Sequence, residues 1–192
     1  MRGPFVLATA NRDKAREIIE LLPSRELLPR PESVPEVDES GETLTDNALL
    51  KAHALVDATG QPAIADDTGL EVAALDGAPG VYSSRYAGEH ATYADNVAKL
   101  VTAMRDVPTE SRQARFRTVA VALWPGGRRE IAEGIVDGVI ATEPRGHNGF
   151  GYDPVFVPTD GDGRTMAEMS PEDKNAISHR GRAFTALNRL LD

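Results

Sequence analysis

Hydrophobic positions along the chain fall into short blocks whose spacing changes from one block to the next. Phe5, Val6, Leu7 and Ala8 form an unbroken apolar run, the pattern of a short buried strand. Thr9-Ala10-Asn11 follows, and then Ala15, Ile18, Ile19 and Leu22 recur at i, i+3, i+4 and i+7. That stripe predicts an amphipathic helix with Asn11 as its N-cap. Thr43 and Asp46 stand three apart, as in a capping box, ahead of a second helix with Leu49, Leu50, Ala52 and Leu55 as its expected inner face. Residues 62–65 read as a short strand ending at Asp66-Asp67, and residues 91–104 suit a third helix. Residues 116–124 and 130–139 read as two strands joined in a hairpin at Pro125-Gly126-Gly127. Ser178 is placed to cap a last helix, with Phe184, Leu187 and Leu191 facing inward. The prolines and glutamates of residues 29–42 predict a long loop. Helices and strands interleave, and one strand pair is antiparallel, so the expected fold is α/β with a mixed sheet.

A length of 192 residues suits one sizeable domain, or one domain with two lobes. With 41% apolar and 27% charged residues, the balance is that of a soluble globular protein with a real core. No apolar run is long enough to cross a bilayer, and the N-terminal segment is too short for a secretory signal. No membrane partner is therefore expected, and a cytoplasmic setting is the default. Cysteine is absent, which excludes disulfides, thiolate nucleophiles and cysteine-held zinc or iron–sulfur sites. A net charge of −9 repels a nucleic-acid backbone and argues against a polymer partner. It does not exclude a small anion, because a few cations and a metal can reverse the field locally.

Four segments carry candidate chemistry. At Thr9-Ala10-Asn11-Arg12-Asp13-Lys14 a strand meets a helix start, where free N–H groups and the dipole attract anions and Lys14 adds a charge. An ordinary capped junction has the same sequence, and the glycines and Lys-Ser/Thr pair of a Walker loop are missing. Asp66-Asp67, straight after an apolar run, are costly unless something positive meets them. Magnesium is one natural partner, with Glu39 as a further ligand; a turn with both side chains bonded to nearby N–H groups is the alternative. In Gly146-His147-Asn148-Gly149-Phe150-Gly151-Tyr152-Asp153 the glycines permit close backbone approach. Phe150 offers a stacking face and Asp153 an acceptor, unless Phe150 is simply tucked into the core. Lys174 and His179, five apart, would diverge by about 140° on one helix. A break with Ser178 as N-cap instead puts His179 and Arg180 in a first turn, where cations are unfavourable unless an anion or carbonyl docks.

Taken in order, these segments resemble the inosine/xanthosine triphosphate pyrophosphatase family. Leu7 to Lys14, Glu39 to Asn47 with Lys51-Ala52, and Ala65-Asp66-Asp67-Thr68-Gly69-Leu70 all match. So do Gly77-Ala78-Pro79-Gly80-Val81-Tyr82-Ser83-Ser84-Arg85-Tyr86, the Gly149 to Pro154 run, and Lys174 through Ser178-His179-Arg180-Gly181. The resemblance implies a single domain over residues 1–192: an elongated mixed sheet flanked by helices, with two lobes around a central nucleotide cleft. It also implies a homodimer. The activity implied is magnesium-dependent (Mg2+) cleavage of ITP, dITP and XTP to the monophosphate and pyrophosphate. By the same resemblance Thr9, Asn11, Lys14 and Lys174 meet the triphosphate, and Asp67 is the catalytic carboxylate and metal ligand with Glu39 assisting. Thr68 lies next to the substrate, and Phe150, Gly151, Tyr152, Asp153, His179 and Arg180 line the base pocket. Arg12 and Lys51 fall in matching segments and count with the substrate-binding residues.

The chain departs from the family at Asp13, where glycine is common, and at Thr68, where serine is usual. Asp13 is expected to point into solvent. A keto-selective base site is expected to use Arg180, nearby backbone N–H groups and His179 as donors to the 6-oxo group, leaving adenine with donor facing donor. A pyrophosphatase for other modified nucleotides and a non-catalytic nucleotide sensor are the competing functions.

Overall fold

A computed structural model describes residues 3–192; Met1 and Arg2, at the head of the N-terminal segment, lie outside the described residues. Among the described residues the strands are β1 (Phe5–Leu7), β2 (Leu27–Leu28), β3 (Ala63–Val72), β4 (Pro79–Gly80), β5 (Gln113–Leu123), β6 (Arg129–Ile140) and β7 (Phe156–Pro158). The α-helices are α1 (Arg12–Leu21), α2 (Leu44–Thr59), α3 (Tyr93–Ala103), α4 (Pro171–Ile177) and α5 (His179–Leu190). One sheet has the order β2-β1-β3-β5-β6-β7, with β4 pairing to β3. β1 runs parallel to β2 and β3, whereas β4 on β3 and β7 on β6 are antiparallel. The sheet is mixed, as the interleaved pattern implied.

The local signals explain most boundaries. The Asn11 side chain accepts from the N–H groups of Asp13 and Lys14 and starts α1, and Thr43 does the same for Asp46 at the head of α2. The β5–β6 hairpin closes at Trp124 N–H to Arg128 carbonyl, 2.9 Å. The predicted break at Ser178 separates α4 from α5. Three expectations are corrected. β3 does not stop at Asp66-Asp67 but runs on to Val72. Thr68-Gly69 resembles a turn, yet Leu70 and Val72 are fully buried beyond it, and Leu70 and Glu71 pair with β4. Ile19 on α1 and Leu50 on α2 are exposed, not inward. The buried face of α2 is rotated onto Leu44, Asn47, Ala48, Ala52, Leu55 and Val56.

The chain divides into two compact units. Among the described residues, unit 1 comprises 3–67, 118–134 and 180–192, and its core joins Phe5, Leu7, Ile18, Leu22, Ile64, Phe184 and Leu187. Unit 2 comprises residues 68–117 and 135–179, with Leu70, Val72, Leu100, Met104, Phe116, Tyr152 and Phe156 at its centre. No helix among the described residues is long and apolar enough to cross a membrane.

Candidate active site

Asp66 and Asp67 stand in the middle of β3, and both are buried. Successive side chains of a strand point to opposite faces, so adjacency in sequence sends the two carboxylates to different surroundings. Asp66 meets α1 and α5. Arg180 donates to Asp66 Oδ2 through Nη2 at 3.1 Å and Nε at 3.3 Å, and Lys14 Nζ lies 3.5 Å away. The remaining arm of Arg180 donates to Glu17 Oε2 at 2.7 Å. Asp67 meets α2 instead: Lys51 Nζ donates to its Oδ1 at 2.8 Å and to Glu39 Oε1 at 2.9 Å. The loop carrying Glu39 is pinned to α2 by Gly41 N–H on Asn47 Oδ1, 2.8 Å. Any Cβ at position 41 would collide with that amide oxygen, so the close approach requires glycine.

Opposite surroundings give opposite proton affinities. Burial pushes the Asp67 carboxyl above its ordinary range, against the pull of Lys51 and Lys14. Burial acts on Asp66 too, but Lys14, Arg180 and Lys51 outweigh it and hold that carboxyl well below its ordinary range. Burial lowers Lys14, with Lys51 and Arg180 adding to the effect against Asp66. Lys51 is raised: burial works against its ammonium, but Asp67, Asp66 and Glu39 together prevail. Asp66 is thus a permanently charged strut. Asp67 is the carboxylate with a protonation state to change.

At the start of α1, Thr9 Oγ1 accepts from Asn11 N–H at 3.1 Å, and Asn11 caps the helix. Arg12 is exposed, and Asp13 turns to the exposed Arg16 at 3.3 Å, away from Lys14. The anticipated solvent-facing Asp13 is what the structure shows. Thr68 follows Asp67 in β3 and is half-buried.

Unit 2 holds a second cluster. Lys174 of α4 donates to Asp153 Oδ2 at 2.6 Å, and the same oxygen accepts from Phe150 N–H at 2.8 Å. The turn is tight: Gly149 has φ +70°, and a Cβ there would run into the Asp153 carboxylate. Gly151 is also left-handed, at φ +63°. Lys174 Nζ sits 4.9 Å from the Phe150 ring centre, and Tyr93 lies 5.8 Å from that ring. An open groove of about 650 Å³ beside Phe150 is walled by Tyr93, Val97, Val101, Pro144 and His147, surfaces suited to a planar apolar body rather than to phosphate. Tyr152 is buried and donates to the Ser83 carbonyl at 2.9 Å, so its hydroxyl ties the turn to the core. The His179 ring is buried and stacks on Phe116 at 4.4 Å.

The candidate residues therefore gather as two sets. Lys14, Lys51, Glu39 and Asp67 converge in unit 1; Phe150, Asp153 and Lys174 converge in unit 2. The expected donation from Arg180 to a 6-oxo group finds its guanidinium committed to Glu17 and Asp66. The cost of a cation in the first turn of α5 is met by the protein's own carboxylates. Glu17 was not singled out by sequence, and Asp66 was read only as half of the Asp66-Asp67 pair, without its partners Arg180 and Lys14. Glu17 carries a legible signal, a charged residue one position before Ile18 on the buried side of α1.

Among the described residues no three carboxylate, imidazole or thiol groups stand close enough to hold a metal alone. Glu39 and Asp67 nevertheless flank one point, and Asp67 Oδ2 is a buried oxygen with no hydrogen-bond partner among the described residues. Magnesium takes oxygen ligands and needs only one or two carboxylates where phosphates and water complete its shell, so these residues fit it.

Comparison with known proteins supplies the context. The chain is 49% identical to a dITP/XTP pyrophosphatase of Geobacter sulfurreducens, over 97% of this chain and 96% of that one. It is 47% identical to the protein of the same name from Coxiella burnetii, with the same coverage. Among solved structures it matches a HAM1 protein from Coxiella burnetii with a TM-score of 0.88 and 44% identity, and the Staphylococcus aureus Ham1 protein with 0.86 and 38%; each match covers 98% of both chains. The model of the Ham1 family matches residues 5–190, and the chain belongs to that family.

Proposed function

We propose that this protein hydrolyses oxo-purine nucleoside triphosphates, dITP, ITP and XTP, to the nucleoside monophosphate and pyrophosphate. Its relatives carry the name of that activity over nearly their whole length. One observation within the chain carries the chemistry: Asp67 is a buried carboxylate with one oxygen held by Lys51 and the other without a hydrogen-bond partner among the described residues. Water attacks the α-phosphorus, the bond from that phosphorus to the bridging oxygen breaks, and pyrophosphate leaves with the electron pair. Asp67 orients the water and accepts its proton, a task suited to a carboxyl whose proton affinity burial has raised. Lys14 and Lys51 offset the charge that develops on the phosphates. Magnesium, held by Glu39 and Asp67 when bound, would neutralise phosphate charge and make a bound water more acidic.

Lys174 and Asp153 hold the turn that presents Phe150, and Phe150 provides the stacking face for the base. With Arg180 engaged by Glu17 and Asp66, and the Phe150 and Asp153 N–H groups used within the turn, selectivity for a 6-oxo group falls to the main-chain donors of Gly149, Gly151 and Tyr152, which adenine would meet with its own amino donor. A homodimer working on the cytoplasmic nucleotide pool completes the proposal; the family resemblance supports it, and light scattering coupled to gel filtration tests the dimer. The decisive assay compares specificity constants for ITP, XTP, GTP and ATP with magnesium, measuring pyrophosphate and orthophosphate separately. Pyrophosphate from ITP and XTP, with ATP poor, is expected. A preference for ATP, or no product, would end the proposal.

A further inference from the structure

Lys51 occupies an unusual position for a substrate-binding lysine. Its ammonium lies between the two carboxylates suited to a metal, 2.9 Å from Glu39 Oε1 and 2.8 Å from Asp67 Oδ1, and only 12% of the side chain is exposed. We infer that Lys51 is the resident counter-cation of the metal seat: it competes with the divalent ion for the space between Glu39 and Asp67, and on displacement turns to the substrate phosphates. The inference rests on the proposal that Glu39 and Asp67 hold magnesium.

Size and charge make the competition obligatory. Magnesium binds oxygen at about 2.0–2.1 Å, well inside the ammonium's contact distances, and two cations cannot share one gap between two oxygens. The neighbouring cations have other tasks. Lys14 and Arg180 face Asp66, so neither substitutes for Lys51 between Glu39 and Asp67. A lysine suits a placeholder because its ammonium is a compact point charge on a flexible four-carbon stem, able to leave without moving α2. Arginine is the commoner cation in this chain, yet Lys14, Lys51, Lys99 and Lys174 are its four lysines, and three of them sit in the two clusters. Without metal, Lys51 keeps the buried Asp67 and the half-buried Glu39 from facing one another uncompensated. With metal and nucleotide together, the phosphates give the released ammonium a new anion. Loading of metal is thereby favoured when substrate is present.

Magnesium titration by calorimetry without nucleotide, on the wild type, K51M and K14M, tests the inference, alongside amine acylation of the wild type read by mass spectrometry. K51M is expected to bind magnesium at least tenfold more tightly than the wild type. K14M, which removes the same charge without vacating the seat, should gain much less. Acylation of Lys51 should rise severalfold on adding magnesium, while the exposed Lys99 stays constant. Circular dichroism checks folding, and K51Q replaces K51M if the latter unfolds. Equal gains for K14M and K51M would reduce the effect to net charge and overturn the inference. So would equal or weaker binding by a folded Lys51 variant, or acylation that magnesium leaves unchanged or lowers; in those cases magnesium binding by the wild type leaves the metal proposal standing. If neither the wild type nor the variants bind magnesium, the metal proposal falls as well.

Discussion

Each unit of this molecule buries a lysine against an aspartate, and the two pairs are put to different uses. Lys174 and Asp153 in unit 2 are 5% and 4% exposed; Lys51 and Asp67 in unit 1 are 12% and 5% exposed. In unit 2 one oxygen of Asp153 takes both the ammonium and the Phe150 N–H, closing a turn. In unit 1 Lys51 takes one oxygen of Asp67, and the other has no hydrogen-bond partner among the described residues. Burial and pairing are common to both. What differs is the load: one oxygen of Asp153 takes two donors and closes the turn, whereas Asp67 keeps an oxygen with no hydrogen-bond partner among the described residues, which on the proposal serves a ligand and a proton.

Substitutions at the two aspartates probe that contrast most strongly. Asp67→Asn should lower turnover by about a thousandfold or more, the scale of losing a general base together with electrostatic positioning. The fold should survive with its melting temperature unchanged or raised. The sign follows from linkage. A carboxyl with a raised folded-state value favours folding only while protonated, so above its ordinary 3.8 the ionised group costs stability. Steady-state pyrophosphate release and thermal melts read both effects. Asp153→Ala should do the reverse of the thermal result: it strands a buried ammonium and should cost about 3–5 kcal/mol. The double variant D153A/K174M should recover part of that loss in denaturant melts.

Phe150→Ala should lower kcat/KM for XTP by roughly 10- to 100-fold, the range of about 1–3 kcal/mol for a base stacked on an aromatic ring, with little change in stability. The smallest effect is a slope. Asp66 is held below its ordinary 3.8, so its stabilising contribution is full above that pH and is lost as pH falls through its lowered folded-state value. Below about pH 4 the wild-type unfolding free energy should drop with acid more steeply than that of Asp66→Asn. Parallel curves would show that Asp66 is not the strut.

Local patterns in the sequence were enough for α1, the hairpin, the caps at Asn11 and Thr43, and the break at Ser178, because each depends on residues within a few positions of one another. They were not enough for the width of an apolar stripe, and Ile19 and Leu50 lie just outside it. The length of β3 was hidden because Thr68-Gly69 has turn chemistry that pairing with β4 overrides. The family motifs pointed to Asp67, Glu39 and Lys51 together. The partners of Asp66 were not legible: Arg180 lies 114 residues away, and joins it to Glu17 across 163. No periodicity reports a contact at that range, so Arg180 was expected at a base when its guanidinium is committed to two carboxylates.

On the proposed function, Asp67 directs water to the α-phosphorus. The most direct test of that role is hydrolysis of XTP with magnesium in 18O-labelled water, with both products weighed by mass spectrometry. One 18O in the monophosphate and unlabelled pyrophosphate are expected, with both products lowered by about a thousandfold or more in Asp67→Asn. Label in pyrophosphate, release of orthophosphate, or undiminished turnover by a folded Asp67→Asn would contradict the proposal.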